Sequence, residues 1–578
     1  MTTETHARTM RGLITGTALC LTLGLSTTAS AQLPASAEKA VTGQASPARA
    51  QQQFEDQAII PNVSPSIEVR DIILQKAPQG AEKMRFNLGT IEFEGISVYT
   101  QDDLRPVYAD KLGQNISLAE LYAISTALTN KYRNDGYILT QVIVPPQTIE
   151  GGRAKLKVIE GYIDAVEVEG VDDPSALALI RAYASKLQST NALNAKDLER
   201  NLLLISDLPG IQARSILGPS PSQPGAAVMR VIVTRDPYDA LLAVDNFGSR
   251  YLGPLQLTGA GSLNSMFGNN ERISGQVVIA PDSGELAYFG LGYEQPIGTA
   301  GTKIELFTSH TSTQPGYDLA QFDVKGRSQF VSAKIEHPFI RSRSRNLYAH
   351  VLFDWRDVDS KNNLEPTRRD RIRALRAGGR YEFLDTLMGV GINSMSAEIA
   401  QGVNIFGASK EGDANLTRSA GDPKFTKINA EAQRLQRITS NVNLLVAARG
   451  QLASKALLSS EEFGVGGLGF GRGYDSSEII GDDGFAGKIE AQWNKPYPSE
   501  MVLDYQLYGF LDIGRVFNKD ATTSSAKKNT ASSAGFGVRA DLTKETEGGL
   551  AVAFPLNRDI QTQGNNNPRF YFNVSRRF

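Results

Sequence analysis

The chain has 578 residues, with 60 Lys and Arg against 62 Asp and Glu, for a formal net charge of −2. A balance this close to neutral excludes the basic footprint by which proteins hold nucleic acid. The one cysteine, Cys20, falls in a leader expected to be removed, which excludes disulfides and thiol catalysis from the mature protein. In that leader, Arg8 and Arg11 precede an apolar stretch from Leu13 to Leu25, and Ala29-Ser30-Ala31 supplies a small-residue cleavage site. Residues 1–31 therefore read as a secretory signal peptide. No later segment approaches the roughly twenty apolar residues a spanning helix needs.

Residues 32–83 are rich in Ala, Gln, Ser and Pro and read as a linker. One helix is predicted there, with Ser46 as N-cap, Pro47 at the first helical position and Pro61 beyond its end. Gln51, Gln52, Gln53, Glu55, Asp56 and Gln57 leave it almost no apolar face. Such a helix would not dock on a hydrophobic core. It would suit a wet polar lumen as a plug over about 47–59, or stay solvated as a linker helix.

Two similar units follow, over 84–160 and 161–236. In the first, a strand (86–93) leads to a short helix capped by Thr100 with Asp103 three residues on. A longer helix is capped by Ser117 with Glu120, which is capping-box spacing. Leu118, Leu121, Ile124, Leu128 and Tyr132 make its buried stripe, and Gly136 ends it. Strands over 138–144 and 154–160 complete the unit. The second repeats the order: a strand at 165–171, helices from Asp173-Pro174 and Asn194, and strands at 212–217 and 228–234. Strand-helix-helix-strand-strand, twice, is an internal repeat. Each three-stranded sheet is expected to leave an open edge that accepts an extended peptide.

From Asp239 to the terminal Phe578, about sixteen runs alternate apolar with polar residues, the period of a strand. Leu347, Ala349, Val351, Phe353 and Trp355 form one apolar parity; Phe485, Ile489 and Trp493 form another. The second parity is too polar for a sandwich core. A closed antiparallel barrel over 237–578, with lipid outside and water inside, fits both faces. Long connections are expected after odd strands and tight turns after even ones. Trp355 and Trp493 should then lie near opposite rims. The fold class is mainly β: a transmembrane barrel of about sixteen strands behind two small α/β domains.

Particular residues carry a family resemblance. In the first unit stand Tyr132-Arg133-Asn134-Asp135-Gly136-Tyr137-Ile138, Val144-Pro145-Pro146-Gln147 and Val158-Ile159-Glu160-Gly161. The second holds Asp207-Leu208-Pro209-Gly210. A long loop, about 453–484, contains Gly469-Phe470-Gly471-Arg472-Gly473-Tyr474, and two strands on stands Phe510-Leu511-Asp512-Ile513-Gly514. With the domain order, these resemble the two-partner secretion transporters, the haemolysin secretion/activation family of the POTRA-barrel superfamily. The resemblance implies that the small units are POTRA domains in the periplasm and that the barrel lies in the outer membrane of a Gram-negative bacterium. It also implies that the sixth outer loop folds inward and that Phe578 ends a C-terminal assembly signal. Where the family usually has Val before the motif arginine, this chain has Gly471. Where the terminal strand usually has an apolar residue two before its end, it has Arg576.

Parity places Asp512 on the lumen side with Asp504, Gln506, Tyr508 and Phe510. A loop folded back into the barrel could bring the Arg472 guanidinium to the Asp512 carboxylate, a planar fork to a two-oxygen acceptor. Enzyme signatures are missing. His6, His310, His337 and His350 have no metal-ligand spacing, and the glycine run 466–471 has no helix after it. No cofactor is implied. Three functions fit: export of a long unfolded partner, insertion of other barrels, and passive diffusion. Export fits best. Its partners would be a secreted exoprotein with an amino-terminal two-partner secretion domain, outer-membrane lipids, and the barrel-assembly machinery during biogenesis.

Overall fold

The computed structural model describes residues 33–55, 67–69, 75–170, 174–189, 191–223, 225–281, 284–364, 366–496, 504–521, 523 and 527–578. The expected signal peptide, the helix beyond Glu55 and Pro61 lie outside these residues.

Sixteen antiparallel strands, in sequence order, close into a barrel. Alternation drives this, because each strand has an apolar face for lipid and a polar face for the lumen. Val351, Phe485, Ile489, Leu511 and Phe570 are exposed outward, while Asp354, Arg356, Glu490 and Asp512 are buried inward. The connections 298–301, 342–344, 386–390 and 438–441 follow even strands and are short. Those at 314–324, 403–425, 454–482 and 556–568 follow odd strands and are long.

The barrel closes where the first strand (Tyr238–Asp245) meets the last (Arg569–Arg577), through register pairs from Leu241↔Arg577 to Asp245↔Asn573. Asn246 continues this seam with its side chain. Its Nδ2 donates to the Phe570 carbonyl at 2.9 Å, and its Oδ1 accepts from the Phe572 amide at 2.8 Å. At the other end the Phe578 amide donates to the Ala240 carbonyl at 2.9 Å.

In the first amino-terminal α/β unit, the strands Thr90–Glu94, Arg153–Ile159 and Gln141–Ile143 lie side by side in that order. Both capping boxes form, at Thr100 with Asp103 and at Ser117 with Glu120. Leu121, Ile124, Leu128 and Tyr132 are buried from the helix Leu118–Asn134. The expected strand at 86–93 is broken in two, because Arg85–Asn87 pairs separately with Asn115–Ser117. In the second unit, Tyr162–Glu169, Ala226–Arg235 and Ile211–Pro219 form the sheet, with helices Pro174–Ala184 and Ala195–Ser206.

One edge of each sheet is taken, while Thr90–Glu94 and Tyr162–Glu169 stand at the other edges. Ile67–Val69 of the linker pairs in parallel with Ile211–Pro219, Ile67 against Ser215 and Val69 against Leu217. In the first unit, Val142 donates its amide to Thr129 Oγ1 at 3.0 Å and accepts from Ser125 Oγ at 2.7 Å. The next backbone position, Val144, is bound on both sides by the Gln75 amide, at 2.8 and 3.2 Å. Exposed backbone is costly, so side chains and linker satisfy it within the chain.

Candidate functional site: the barrel lumen

The loop between the eleventh strand (Val442–Ala453) and the twelfth (Asp483–Pro496) folds inside the barrel. Two short strands within it, Phe463–Val465 and Ile479–Gly481, pair into a hairpin. Its tip turns on Gly466, Gly467 and Gly471, all at positive φ. Gly471, at φ +109, holds a backbone that a β-branched residue would not adopt, which accounts for glycine here instead of valine. Its amide also reaches Asp512 Oδ2, at 3.2 Å.

Arg472 is 7% exposed and Asp512 0%. Arg472 Nη2 stands 2.7 Å from Asp512 Oδ1, and both Nε and the Arg472 amide stand 2.9 Å from Oδ2. Arg472 Nη1 donates to Glu490 of the twelfth strand. The guanidinium lies 3.6 Å from the Phe510 ring centre, close enough for a cation–π contact. Glu490 also accepts from Arg539 at 2.8 Å, so two arginines face two carboxylates. The last strand joins in, because Tyr571 Oη donates to the Arg472 carbonyl at 2.8 Å. Gly473 and Gly514 are glycines for space. A Cβ on Gly473 would stand 2.7 Å from Ser533 Cβ, and one on Gly514 2.5 Å from Val465 Cγ1. Tyr474 is buried and its hydroxyl bonds the Ser532 carbonyl at 3.0 Å. Chemically this arrangement holds; it fastens a loop to the strands of Glu490 and Asp512 by charge-assisted bonds and to those of Ser532 and Tyr571 by neutral ones.

The amino-terminal segment lies in the same lumen. It forms two helices, α1 (Ala35–Thr42) and α2 (Pro47–Glu55), where one was expected. Pro47 begins α2, and the Ser46 carbonyl accepts its first bonds. Gln51 donates to Ser309 at 2.6 Å and accepts from Arg356 at 2.8 Å. Glu55 accepts from Arg356 at 3.0 Å and Ser309 at 2.7 Å. Gln52 donates to the Ser460 carbonyl at 2.8 Å and Gln44 to Glu478 at 2.7 Å, both in the inward loop. The expectation of no apolar contact is corrected. Ala50 and Phe54, four apart on one face, pack with Ala40, Val41, Tyr251, Leu286 and Tyr288. A composition count hides a two-residue stripe that spacing reveals.

The remaining motif residues sit in the periplasmic units. Glu160 accepts from the amides of Ser97 (2.9 Å) and Val98 (3.0 Å) and from Tyr132 Oη (3.0 Å). Burial alone would raise its carboxyl, but these bonds outweigh it and hold it below the usual carboxylate range. Tyr137 packs edge-on to Tyr99 and Tyr132. Gly136 and Gly161 join the two units, their carbonyls accepting from Ala195 (2.8 Å) and Leu193 (2.9 Å). Pro145 and Pro146 lead into Gln147, whose amide bonds both backbone groups of Lys155, at 2.6 and 2.7 Å. Asp207 caps the helix Ala195–Ser206, Leu208 and Pro209 are buried, and Gly210 turns at φ +67. Sequence reasoning missed Glu490 and Tyr571 as partners of Arg472, and Arg539 as the second arginine on Glu490. The signal for Glu490 was its lumen parity with Lys488 and Gln492.

A polar-lumened barrel carrying two periplasmic α/β units and an inward arginine loop defines a POTRA-barrel protein of the outer membrane. Residues 228–540 match the model of the haemolysin secretion/activation protein family ShlB/FhaC/HecB, and 86–161 match the ShlB-type POTRA domain. The chain belongs to that family and is an outer-membrane transporter of the two-partner secretion class, with its POTRA units in the periplasm. It is 22% identical over 524 residues to the heme/hemopexin transporter protein HuxB of Haemophilus influenzae, covering 88% of this chain and 91% of that one. It is 24% identical over 442 residues to the outer membrane transporter CdiB of Escherichia coli, covering 72% and 70%. The solved structure of CdiB from Escherichia coli shares the fold, with a TM-score of 0.71 at 19% identity over 95% of this chain and 100% of that one.

Proposed function

We propose that this transporter exports a long, unfolded partner exoprotein, which the POTRA pair captures by its amino-terminal two-partner secretion domain and the barrel conducts. The observation that carries this reading is how the lumen is filled. Its contents are α1, α2 and the inward loop, held by polar bonds that water can replace and by two small apolar clusters, one around Phe54 and one around Phe463 and Tyr474. A filling divided between polar bonds and small separate clusters can leave more readily than one continuous hydrophobic core. Arg472 and Asp512 lock the loop at rest, and α2 plugs the pore. Ile67–Val69 keeps the place an extended segment of the exoprotein would take on the second POTRA sheet. Folding of the exoprotein outside the cell supplies the driving force. Outer-membrane lipids bind the apolar belt, and the barrel-assembly machinery reads the last strand ending in Phe578.

The test is co-expression with a candidate exoprotein that carries an amino-terminal two-partner secretion domain. The expected result is its appearance in the medium only with the intact transporter. Normal secretion without the transporter refutes the proposal, as does unchanged secretion by a transporter lacking 84–236.

A further inference from the structure

Among the described residues of its own domain, the motif Asp207-Leu208-Pro209-Gly210 has no partner that accounts for its charge. Its aspartate leaves the second POTRA unit altogether. Asp207 Oδ2 accepts from Arg341 Nε and Oδ1 from Arg341 Nη2, both at 2.7 Å. Arg341 ends the sixth barrel strand (Lys325–Arg341) on the periplasmic side. Its third nitrogen, Nη1, donates to Asn346 Oδ1 at 3.0 Å. The Arg341 side chain is 7% exposed.

The sixth strand is built to aim this arginine. Along it, odd residues face lipid: Val331 and Ile335 are exposed, while Glu336 is buried. Unbroken alternation would send Arg341 outward as well. The register against the seventh strand (Arg345–Lys361) slips between Pro338 and Ile340. Phe339 and Ile340 both face outward, and Arg341 turns in under the barrel. A bulge that re-aims one side chain is a local cost with a local purpose.

The other end of the motif touches the barrel too. Gly210 is so close to it that a Cβ would stand 2.3 Å from the Asp236 carbonyl and 2.7 Å from Asn264 Cβ, at the end of the second strand (Gln256–Asn264). Further bonds cross the junction. Arg200 donates to the Pro338 carbonyl at 3.1 Å, Asn270 to the Ala176 carbonyl at 3.2 Å and Arg235 to the Ser265 carbonyl at 2.6 Å. Arg235 Nη2 also reaches the Asn264 carbonyl at 3.2 Å, and Glu199 accepts from the Arg343 amide at 2.6 Å; each of these contacts runs through one donor atom, which permits rotation. A two-pronged guanidinium–carboxylate pair fixes direction as well as distance.

We infer that Asp207 and Arg341 are positioning residues that set the angle between the second POTRA unit and the barrel. They thereby aim a captured polypeptide at the pore mouth. This rests on the export reading above, but the angle itself can be measured without any substrate. The mature chain is cysteine-free, so spin labels can be placed at Ala182→Cys and Leu387→Cys in the full transporter, in proteoliposomes. Pulsed electron–electron resonance should give one narrow distance in the parent. Asp207→Ala and Arg341→Ala should broaden it. Arg341→Lys should broaden it as well, since lysine keeps the charge and loses the fork. The exchange Asp207→Arg with Arg341→Asp should restore the narrow peak. Should Asp207→Ala fail to insert, as judged by heat-modifiable mobility, Asp207→Asn serves in its place and should broaden the distance. An unchanged distance in the single variants, or an exchange that restores nothing, overturns the inference. In a second arm, the broadened variants should still bind the amino-terminal two-partner secretion fragment of the exoprotein that the parent exports, yet secrete the full exoprotein poorly. Broadening with full secretion overturns the aiming role alone. Loss of export from the parent itself would instead condemn the export reading.

Discussion

Arg472→Ala is expected to free the inward loop while leaving an inserted barrel. Asp512 is fully buried and accepts four bonds, from the Gly471 and Arg472 amides and from Arg472 Nε and Nη2. Removing one partner of a buried ion pair typically costs about 3–5 kcal/mol, because the other charge is stranded. Here the two amides remain to Asp512, and lumen water can enter the vacated space, so about 2–3 kcal/mol is the better figure. At 1.4 kcal/mol per tenfold, the locked-to-free ratio of the loop should fall roughly 30- to 150-fold. A spin label on the loop should report this as a new mobile component, and secretion should drop sharply. Heat-modifiable mobility on gels should persist. Asp512→Ala should look alike, and the double variant should be little worse than either single, because each removes the ion pair the two residues share. Strictly additive losses in that double-mutant cycle would show that the residues act separately, and the lock would have to be abandoned.

Deleting residues 32–60 should raise single-channel conductance in planar bilayers without abolishing secretion; unchanged conductance would count against a plug. Phe54→Ala should act in the same direction, since emptying a buried phenylalanine site costs about 3–5 kcal/mol, and an unaltered open fraction would remove Phe54 as the anchor. Gly473→Val should unseat the loop without touching a charge, because a Cβ already meets Ser533 at 2.7 Å; loop mobility equal to the parent's would contradict that packing. Because the carboxyl of Glu160 is held below its unfolded value, its stabilising share is complete above about pH 4.3 and is lost as pH falls through the folded value. Thermal unfolding of the POTRA pair in acid should therefore be less pH-dependent in Glu160→Gln, and an identical acid slope would exclude Glu160 as the group responsible.

Much of this molecule is legible in its sequence because a barrel writes its fold with period two. The strand count, the alternation of connections and the facing of Asp512 all follow from which parity is polar. Both capping boxes could be read from four residues each, since that chemistry is local. What stayed hidden is set by register across strands. Nothing near Glu490 says that Arg472 will reach it, although Glu490 stands directly opposite Phe510 in the sheet. The pairing of Ile67–Val69 with Ile211–Pro219 spans most of the POTRA region, and a three-residue strand has no period to detect. The bulge before Arg341 is invisible for the same reason, being one residue out of step in an otherwise regular run. The lock's geometry came with the resemblance; its third and fourth members did not.

Three carboxamides in this structure behave alike. Gln75 binds both backbone groups of Val144, Gln147 both of Lys155, and Asn246 reaches the carbonyl of Phe570 and the amide of Phe572. Each offers one donor and one acceptor at the spacing of a peptide unit, and so supplies the last rung of a ladder that no strand continues. A borrowed strand would present a fresh row of amides and carbonyls on its far side, and growth could go on from there. A side-chain amide presents none. Gln75 in this way closes an outer edge of the first sheet to a further strand, while Gln147 and Asn246 finish ladders between strands that are already paired.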